Sequence, residues 1–528
     1  MKTILFKTLS ILLAAAMLLT LGGCGKKTPE LSEEITIGGE EPAVQSIGQE
    51  LEAAYAADQV FSLNAILSDS FNPYQTTSAW NQVVGMLVYE TLVVLDESFE
   101  AQPNLVSAWQ TEDGTHWRFS VDSSRKFHGG GDMTAWDAVY SIRIAMTGKY
   151  AERLSHIEGV SALDRESFEV TLDEANFLFY RLLNIPCIEA DTSYMTMPPG
   201  NGPYQFSAAG TYLSLDENHP LASEMPIDTI YLKEYSAAED ILQAFEDSLI
   251  DLVINDPNGM ASLGYASTNI IKYVDTTCMH YLGYNMKSPV FGSPIYRALM
   301  TYAIDRDTIV SDIMAGAGVA ATLPLHPDSA QYPTIYAEEL EYSEAAFKNA
   351  LGNVGIADLD GDGQMEIGGG RYTINFIVCS DSAVKVSAAR EIADKLREAG
   401  FGVYLRELSY EDYITNLEEG TYDIYYGEVK LCADWDLSLF FEEESPLNPG
   451  GYTDYVLMGH IKTYLGSGTE MRESNTGVLY QYIGQNAPIT VICFEKSEAL
   501  YHRGVLAGLS PTQDNLFAGM ENWTINLS

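Results

Sequence analysis

The sequence predicts an α/β protein that is divided into two or three lobes. The chain has 528 residues, more than one small hydrophobic core accommodates, and 46% of them are hydrophobic, as in globular proteins. Residues 227–254 and residues 372–408 each have the order strand, helix, strand. This order is typical of parallel strands that are connected by a helix. Parallel pairing is therefore expected in two separate parts of the chain.

The first 24 residues are predicted to be a lipoprotein signal peptide. Lys2 and Lys7 provide a basic start, and an apolar run follows at 11–21. The run is too short to span a bilayer, which takes about 20 apolar residues. It ends in the letters LGGC, which resemble a bacterial lipobox with lipid on Cys24. An ordinary signal peptide with a chance cysteine is the alternative, and either interpretation predicts export.

A flexible acidic tether is predicted for residues 25–58. This stretch is polar and charged, and it offers too little apolar surface to fold by itself. Folding patterns begin near Val60. We therefore expect the lipid anchor and the folded part to be joined by a flexible segment.

Periodicity and turn residues predict the regular elements that follow. In the first third, these are a helix over 81–92, a short strand over 93–95, an alternating strand over 115–121, and a helix capped by Thr134 that continues to Met146. Further on they are a strand over 227–235, a helix over 237–245, a strand over 249–254, a helix from Ser293, a strand over 372–379, a helix over 386–399 ended by Gly400, a strand over 402–408, a helix over 410–418, and strands over 422–426, 489–494 and 523–527.

Charge and motif content exclude several classes of function. The net charge is −45, with 74 acidic against 29 basic residues, so nucleic acids and anionic lipid surfaces are not expected partners. Six cysteines are too few for a disulfide scaffold, and no cofactor motif is found. Residues 358–363 match half of a calcium-binding loop, but position twelve is Gly369 instead of Glu, which favours a hairpin turn.

The order of motifs along the chain resembles the family 5 extracellular solute-binding proteins, the receptors of ABC importers for peptides, nickel and related solutes. The match begins near residue 60 and continues to the end of the chain. The segments that carry it lie at 71–74, 88–96, 102–109, 117–119, 125–130, 134–139, 201–204, 284–286, 297–306, 358–363 and 420–424.

The resemblance implies a type II periplasmic-binding-protein fold, or Venus flytrap. Two α/β lobes close on a ligand, and an extra domain is inserted near the N-terminus. The implied boundaries are 59–77, 195–277 and 476–528 for lobe one, 78–194 for the inserted domain, and 278–475 for lobe two.

The function implied is a lipid-anchored receptor on the extracytoplasmic face of the cell membrane, in a periplasm or on an outer surface. It would bind oligopeptides or dipeptides between the lobes as a monomer, deliver them to the permease subunits, and catalyse no reaction. One alternative within the fold is a receptor for a nickel chelate or another non-peptide solute. Alternatives of other classes are a secreted hydrolase and an adhesive surface protein, although the chain shows neither a catalytic motif nor a repeat.

Asp434 is the strongest candidate for ligand binding. Residues 431–436 resemble the Trp-Cys-Ala-Asp-Tyr segment of oligopeptide-binding proteins, in which the Asp binds the α-ammonium group of the ligand. A carboxylate suits this task because a charge-assisted hydrogen bond contributes about 1.5–3 kcal/mol. Leu431 replaces the Trp of that segment, which removes an aromatic wall. A loop carboxylate that caps the next helix is the alternative interpretation.

The same resemblance assigns several neighbours of Asp434. It implies a disulfide between Cys278 and Cys432 and a position for Tyr281 in the cleft. Gly283 stands where related proteins carry an acidic ligand contact. The further expected ligand contacts are Cys432, Trp435 and Asp436.

Overall fold

A computed structural model describes residues 59–258, 263 and 269–527. The predicted signal peptide, the lipidation site Cys24 and the tether over 25–58 lie outside the described residues. The described residues belong to one compact unit. Within this part of the chain, the helices are too short or too polar to cross a membrane.

Along the chain, most helices of the described residues connect strands of the main sheet. They are α1 (Ala79–Gly85), α2 (Ala135–Ala145), α3 (Ala238–Glu246), α4 (Pro294–Ala303), α5 (Arg306–Thr308), α6 (Thr334–Glu338), α7 (Glu344–Asn353), α8 (Ala383–Glu398), α9 (Tyr410–Glu419), α10 (Tyr455–Leu465) and α11 (Thr469–Asn486). A π-helical turn follows α5 at Ile309–Ile313, and short 3-10 turns lie at Phe179–Leu183, Ala222–Glu224, Ser438–Phe440 and Met520–Asn522.

The strands fall into one large sheet and several small ones. They are β1 (Phe61–Asn64), β2 (Val93–Leu95), β3 (Ala101–Pro103), β4 (Val106–Thr111), β5 (His116–Val121), β6 (Ile157–Ala162), β7 (Ser167–Leu172), β8 (Tyr204–Phe206), β9 (Tyr212–Leu215), β10 (Thr229–Lys233), β11 (Leu252–Asn255), β12 (Asn269–Tyr284), β13 (Gly318–Ala320), β14 (Glu366–Ile367), β15 (Gly370–Arg371), β16 (Thr373–Cys379), β17 (Gly402–Leu408), β18 (Ile424–Lys430), β19 (Ile489–His502), β20 (Leu506–Ala507) and β21 (Thr524–Ile525).

The large sheet has the order β17-β16-β18-β12-β19-β11-β1-β10-β9-β8, with β13 beside β19. At one end β1 lies between β10 and β11 and runs parallel to both. Towards the other end β16 lies between β17 and β18 and again runs parallel to both. Helix α3 connects β10 with β11, and α8 connects β16 with β17. Both predicted strand–helix–strand units are therefore confirmed as parallel.

Two long antiparallel strands, β12 and β19, connect the lobes. Residues 269–275 of β12 pair with the second half of β19, which also pairs with β11. Residues 279–283 of β12 pair with the first half of β19, and this part of β12 also pairs with β18. The pairing register shifts between Asp275 and Met279, so the ladder is irregular at this crossing. The expected boundary at 277/278 falls inside this irregular segment.

The second expected boundary, at 475/476, falls within α11, which packs against α4, α6 and α10. The next segment, 489–494, pairs with β12 and β13, and β19 passes the irregular segment of β12 near Glu495. The expected boundary thus lies inside a helix, and the division of the chain into lobes stays a prediction.

The inserted domain is built on an antiparallel sheet, β4-β5-β7-β6, against which α2 packs. The predicted alternation of β5 is confirmed: Trp117 and Phe119 face the core while their neighbours face outward. At the start of α2, the backbone N–H and hydroxyl of Thr134 both donate to the carboxylate of Asp137, which fixes the predicted cap.

Helix α1 is shorter than predicted and ends at Gly85 instead of residue 92. The carbonyl groups of Leu87 and Val88 accept hydrogen bonds from the backbone of residues 201–204. A Cβ atom on Gly202 would collide with these carbonyl groups, so the Asn-Gly-Pro-Tyr motif allows a close approach of two chain segments. Tertiary pairing thus ends the helix early.

Two tyrosines of lobe two each pack across a glycine on the opposite strand. In the β12–β18 ladder, Tyr281 is paired with Gly427 and Gly283 with Tyr425. The two rings meet edge to face with centroids 5.9 Å apart. A Cβ on Gly283 would overlap the Tyr425 ring, which explains why no acidic side chain is accommodated at this position.

We predict that Gly283→Ala destabilises the protein by about 1–3 kcal/mol, because the added methyl group forces the Tyr425 ring out of its place. The measurement is thermal unfolding followed by circular dichroism. The matched control is Gly459→Ala on the exposed face of α10, where nothing lies within 4 Å of the new Cβ. That substitution should stabilise the protein by up to about 1 kcal/mol. Equal effects of the two substitutions would contradict the packing argument.

Candidate ligand-binding site

A cavity of about 710 Å³ is lined by residues from several separate parts of the chain. Its walls include residues between 79 and 91, the segment 149–153 of the inserted domain, residues 430–433 directly after β18, and residues between 512 and 521. The lining contains many apolar groups, among them Met86 and Phe517. Ligand sites typically have this size and combine an apolar lining with a few polar groups.

Three basic side chains line this cavity: Lys149, Arg153 and Lys430. None of the three forms a salt bridge with a carboxylate in the described part of the chain. This is unusual in a protein with 74 acidic and 29 basic residues. An anionic group of a ligand would therefore meet cations without salt-bridge partners. The lining also contains three carboxylate side chains, those of Glu90, Asp514 and Glu521.

Arg153 is held in position by its neighbours. Its Nη1 donates to Asn184 Oδ1 at 2.8 Å, and its guanidinium group lies over the Tyr150 ring, 4.7 Å from the centroid. Its Nε is buried and has no hydrogen-bond partner. The side chain is thus oriented while part of its donor capacity stays unused.

Lys149 has an altered ionisation. Protein atoms that surround its ammonium group, together with the charges of Arg153 and Lys430, lower the pKa of Lys149 to about 8. The contribution of both neighbours shows that the three cations repel one another. A bound anion would relieve this repulsion.

Of the expected ligand contacts, only Cys432 lines this cavity. Asp434 follows two residues later but is 2% exposed. Its Oδ2 accepts a hydrogen bond from Asn176 Nδ2 at 2.8 Å, and its Oδ1 accepts one from the backbone N–H of Asp436 at 3.3 Å. The carboxylate thus lies outside the cavity lining and contacts Asn176.

The carboxylate of Asp434 lies in an environment that disfavours its ionised form. Burial and the negative charge of Asp436 raise the pKa of Asp434 to about 6, although the hydrogen bond from Asn176 opposes the shift. Among the described residues, no basic side chain forms a salt bridge with it; the nearby Arg181 is paired with Glu100. A buried carboxylate without a cationic partner is a candidate for binding an ammonium group.

Tyr281, Trp435 and Asp436 do not line the cavity. Tyr281 packs in the lobe-two core, and Trp435 is 1% exposed, with its ring edge to face against Phe99 and Phe494. Asp436 caps the following 3-10 turn, because its Oδ1 accepts from the backbone N–H and the hydroxyl of Ser438. In this structure, these three residues therefore do not lie where they would contact a ligand in this cavity.

The expected Cys278–Cys432 disulfide is not formed, because both thiols are free. Cys278 lies within the strand β12, and its Sγ faces Glu428 at 3.7 Å. Cys432 follows the end of β18 and packs against the core of the inserted domain. The two side chains take different directions, which the sequence motif did not reveal.

The basic residues of the cavity were not predicted from the sequence. They come from distant segments, and only the spacing of Lys149 and Arg153 in an unusually acidic chain offered a signal. Residues 512–521 were missed as well, because they form a turn-rich segment without a characteristic motif.

Two α/β lobes joined by a pair of long strands define a solute-receptor architecture. The sequence pattern of the bacterial extracellular solute-binding proteins, family 5 (middle region), matches residues 100–434, and the chain belongs to this family. Such proteins are non-enzymatic, extracytoplasmic receptors, and this chain is the substrate-binding protein of an ABC importer. The hydrolase alternative is thereby set aside.

Individual relatives are similar in sequence or fold. The oligopeptide-binding protein AppA of Bacillus subtilis (strain 168) is 24% identical over 396 residues, 70% of this chain and 71% of AppA. The AppA structure in complex with a nonapeptide has a TM-score of 0.60 at 19% identity, covering 88% of this chain and 99% of AppA. NikZ from Campylobacter jejuni in complex with Ni(L-His) gives 0.63 at 17% identity, covering 88% and 99%.

We predict that Asp434→Asn stabilises the protein at pH 7.5 by up to about 3 kcal/mol. The pKa of Asp434 is raised in the folded state, so the ionised carboxylate costs stability above about pH 6 and nothing below about pH 4. The gain should therefore shrink as the pH falls towards 4. Thermal unfolding across this pH range measures it.

The control for this prediction is Asp454→Asn at the start of α10. Despite partial burial, hydrogen bonds from the Leu457 N–H and from tyrosine hydroxyls hold the pKa of Asp454 below its usual range. Its carboxylate contributes stability that is lost at acid pH, so this substitution should destabilise at pH 7.5. A loss of stability in Asp434→Asn at pH 7.5 would show that the Asp434 carboxylate is well paired.

Proposed function

We propose that this chain is a lipid-anchored receptor that binds peptides in the cavity between its lobes and delivers them to the permease subunits of its importer. Cys24 carries the lipid, which holds the protein on the extracytoplasmic face of the membrane. The protein acts there as a monomer. The observation that carries this proposal is the cavity itself, whose wall continues directly into Asp434.

The ammonium end of a peptide fits the environment of Asp434. The buried carboxylate has no salt bridge with the described basic residues, and its raised pKa reports the cost of its charge. An incoming ammonium group would supply the cationic donor that this carboxylate lacks, and a hydrogen bond to a charged group is worth about 1.5–3 kcal/mol. Binding energy would thus be gained at a group that is unfavourable in the free protein.

The anionic end of a peptide fits the basic residues of the cavity. Lys149, Arg153 and Lys430 lie on the inserted domain and at the end of β18, and their charged groups are suitable donors for a carboxylate. Every unmodified peptide has both an ammonium and a carboxylate group. Recognition of these two ends would allow different side chains in between.

A nickel chelate or another non-peptide solute is the second candidate. The same basic residues suit the carboxylates of a chelating ligand, and His219 in the cavity wall is a further polar contact. The fold similarity to NikZ, a protein whose structure contains Ni(L-His), is compatible with this alternative. The two candidates differ in whether a peptide ammonium group is required.

A thermal-shift screen with di- to octapeptides, their N-acetylated forms and nickel–histidine tests the proposal. A ligand at 100 times its dissociation constant adds about 2.7 kcal/mol of stability, which shifts the midpoint measurably. We expect free peptides to stabilise the full-length protein and acetylated peptides to have little effect. Asp434→Asn should abolish the peptide-induced shift, measured against the unliganded midpoint of the same variant.

The matched control is Asp436→Asn, which changes the neighbouring carboxylate that caps a turn, and it should keep the shift. Equal shifts with free and acetylated peptides would contradict the role of Asp434 and leave the cavity as the site. A shift with nickel–histidine alone, or with no peptide, would contradict peptide binding.

A further inference from the structure

Four potential metal ligands share one region of the sheet where the chain crosses between the lobes. Cys278 and His280 lie on β12, Glu428 on β18 and Glu495 on β19. His280 is paired with Glu428 across one ladder and with Cys493 across the other. Because side chains on one face recur every second residue, Cys278 and Glu495 are placed near the same face of the sheet.

The ligand atoms of these residues are close to one another. Those of Cys278, Glu428 and Glu495 all lie within 4.8 Å of each other. The Cys278 Sγ is 3.7 Å from Glu428 Oε1, and His280 Nε2 is 3.0 Å from Glu495 Oε2 and 4.0 Å from Glu428 Oε2. In a tetrahedral zinc site with bonds of about 2.0–2.3 Å, neighbouring ligand atoms are about 3.3–3.8 Å apart. The separation of 3.7 Å between Cys278 and Glu428 lies in this range, whereas the 3.0 Å between His280 and Glu495 is slightly shorter and the 4.0 Å between His280 and Glu428 slightly longer.

Burial and supporting contacts resemble those of a built metal site. The side chain of His280 is fully buried and that of Glu495 is 12% exposed, whereas that of Glu428 is 35% exposed and leaves a path to solvent. The Nδ1 of His280 lies 2.9 Å from the hydroxyl of Tyr426, which orients the imidazole ring. Lys385 contacts Glu428 Oε2 at 2.9 Å, so Oε1 remains directed at the thiol.

Charge also favours a cation at this place. Lys385 contacts both Glu428 and Asp381. Its single positive charge does not neutralise these two carboxylates and that of Glu495 as well. A divalent ion at this place would neutralise the excess negative charge of these carboxylates.

From this geometry we infer that Cys278, His280, Glu428 and Glu495 form a binding site for a divalent transition-metal ion of the zinc type. A thiolate, an imidazole and two carboxylates are ligands that Zn²⁺ accepts. Binding breaks the S–H bond of Cys278, forms a bond between sulfur and metal, and releases one proton to solvent. The site lies outside the ligand cavity and does not depend on the proposed transport function.

Metal binding would link the two strands that join the lobes. Cys278 lies in the irregular segment of β12, and Glu495 lies where β19 crosses to lobe one. A bond from each to the same ion would restrain this crossing and tie it to β18. The ion would accordingly brace the connection about which the lobes move.

Titration of the purified full-length protein with Co²⁺ and Zn²⁺ tests the inference. We expect one equivalent of Co²⁺ to produce a thiolate-to-cobalt charge-transfer band in the near-ultraviolet, which Zn²⁺ removes by displacement. Cys278→Ser should abolish the band, and Glu428→Gln should weaken Zn²⁺ binding by about tenfold or more. Cys432→Ser, which changes the half-buried cysteine outside the cluster, should keep the band.

Circular dichroism shows whether each variant is folded. If Cys278→Ser does not fold, Glu428→Gln still tests the site, because the Glu428 side chain is 35% exposed and its substitution disturbs the core less. The inference is overturned if wild type shows no thiolate band, or if the band persists in Cys278→Ser. It is also overturned if folded Glu428→Gln binds Zn²⁺ as tightly as wild type. The peptide screen tests the role of Asp434, which is not one of the four proposed metal ligands. Either proposal can therefore fail without the other.

Discussion

The antiparallel pairing of β12 and β19 is the interaction on which the rest of the structure depends. These strands run through both lobes, and their backbone hydrogen bonds hold β11 on one side and β18 on the other. The register shift between Asp275 and Met279 is the point where one ladder ends and the next begins. The cavity wall at 430–433 follows β18 directly, so its position relative to lobe one is set by this pair of strands.

The site then combines groups that are individually unfavourable. Asp434 is ionisable but buried beside Asp436, while Lys149, Arg153 and Lys430 face the cavity without carboxylate partners. Natural proteins tolerate such costs mainly where function requires them. A ligand with an ammonium group and an anionic group would compensate both. Under the proposed function, electrostatic repulsion within the free protein would be converted into affinity for a zwitterion.

Local patterns predicted the regular elements well. The two parallel units, the cap at Thr134 and the end of α8 before Gly400 all follow from periodicity and from residues with special backbone preferences. Helix α1 was predicted too long because carbonyl groups at its end pair with residues 201–204, which lie more than 100 positions away. The expected boundary at 475/476 lies inside α11, because a helix pattern does not show which neighbouring elements the helix packs against.

The site was harder to predict because it depends on side-chain direction. Residues 431–433 of the motif at 431–436 line the cavity, whereas Trp435 points into the core and Asp436 caps a turn. The pairing of Cys278 with Cys432 failed for the same reason, since their side chains face different neighbours. The basic residues of the cavity come from segments far apart in the chain, and only the tertiary fold brings them together.

Hydrogen–deuterium exchange of the full-length protein, with and without a stabilising peptide, tests the central claim that the ligand lies between the lobes. The account predicts slower exchange at two separate places at once, the wall formed by residues 79–91 and the wall formed by residues 430–434. Segments remote from the cavity, such as α8, should exchange as before. Protection on only one wall, or at neither while the peptide is bound, would contradict an interlobe site.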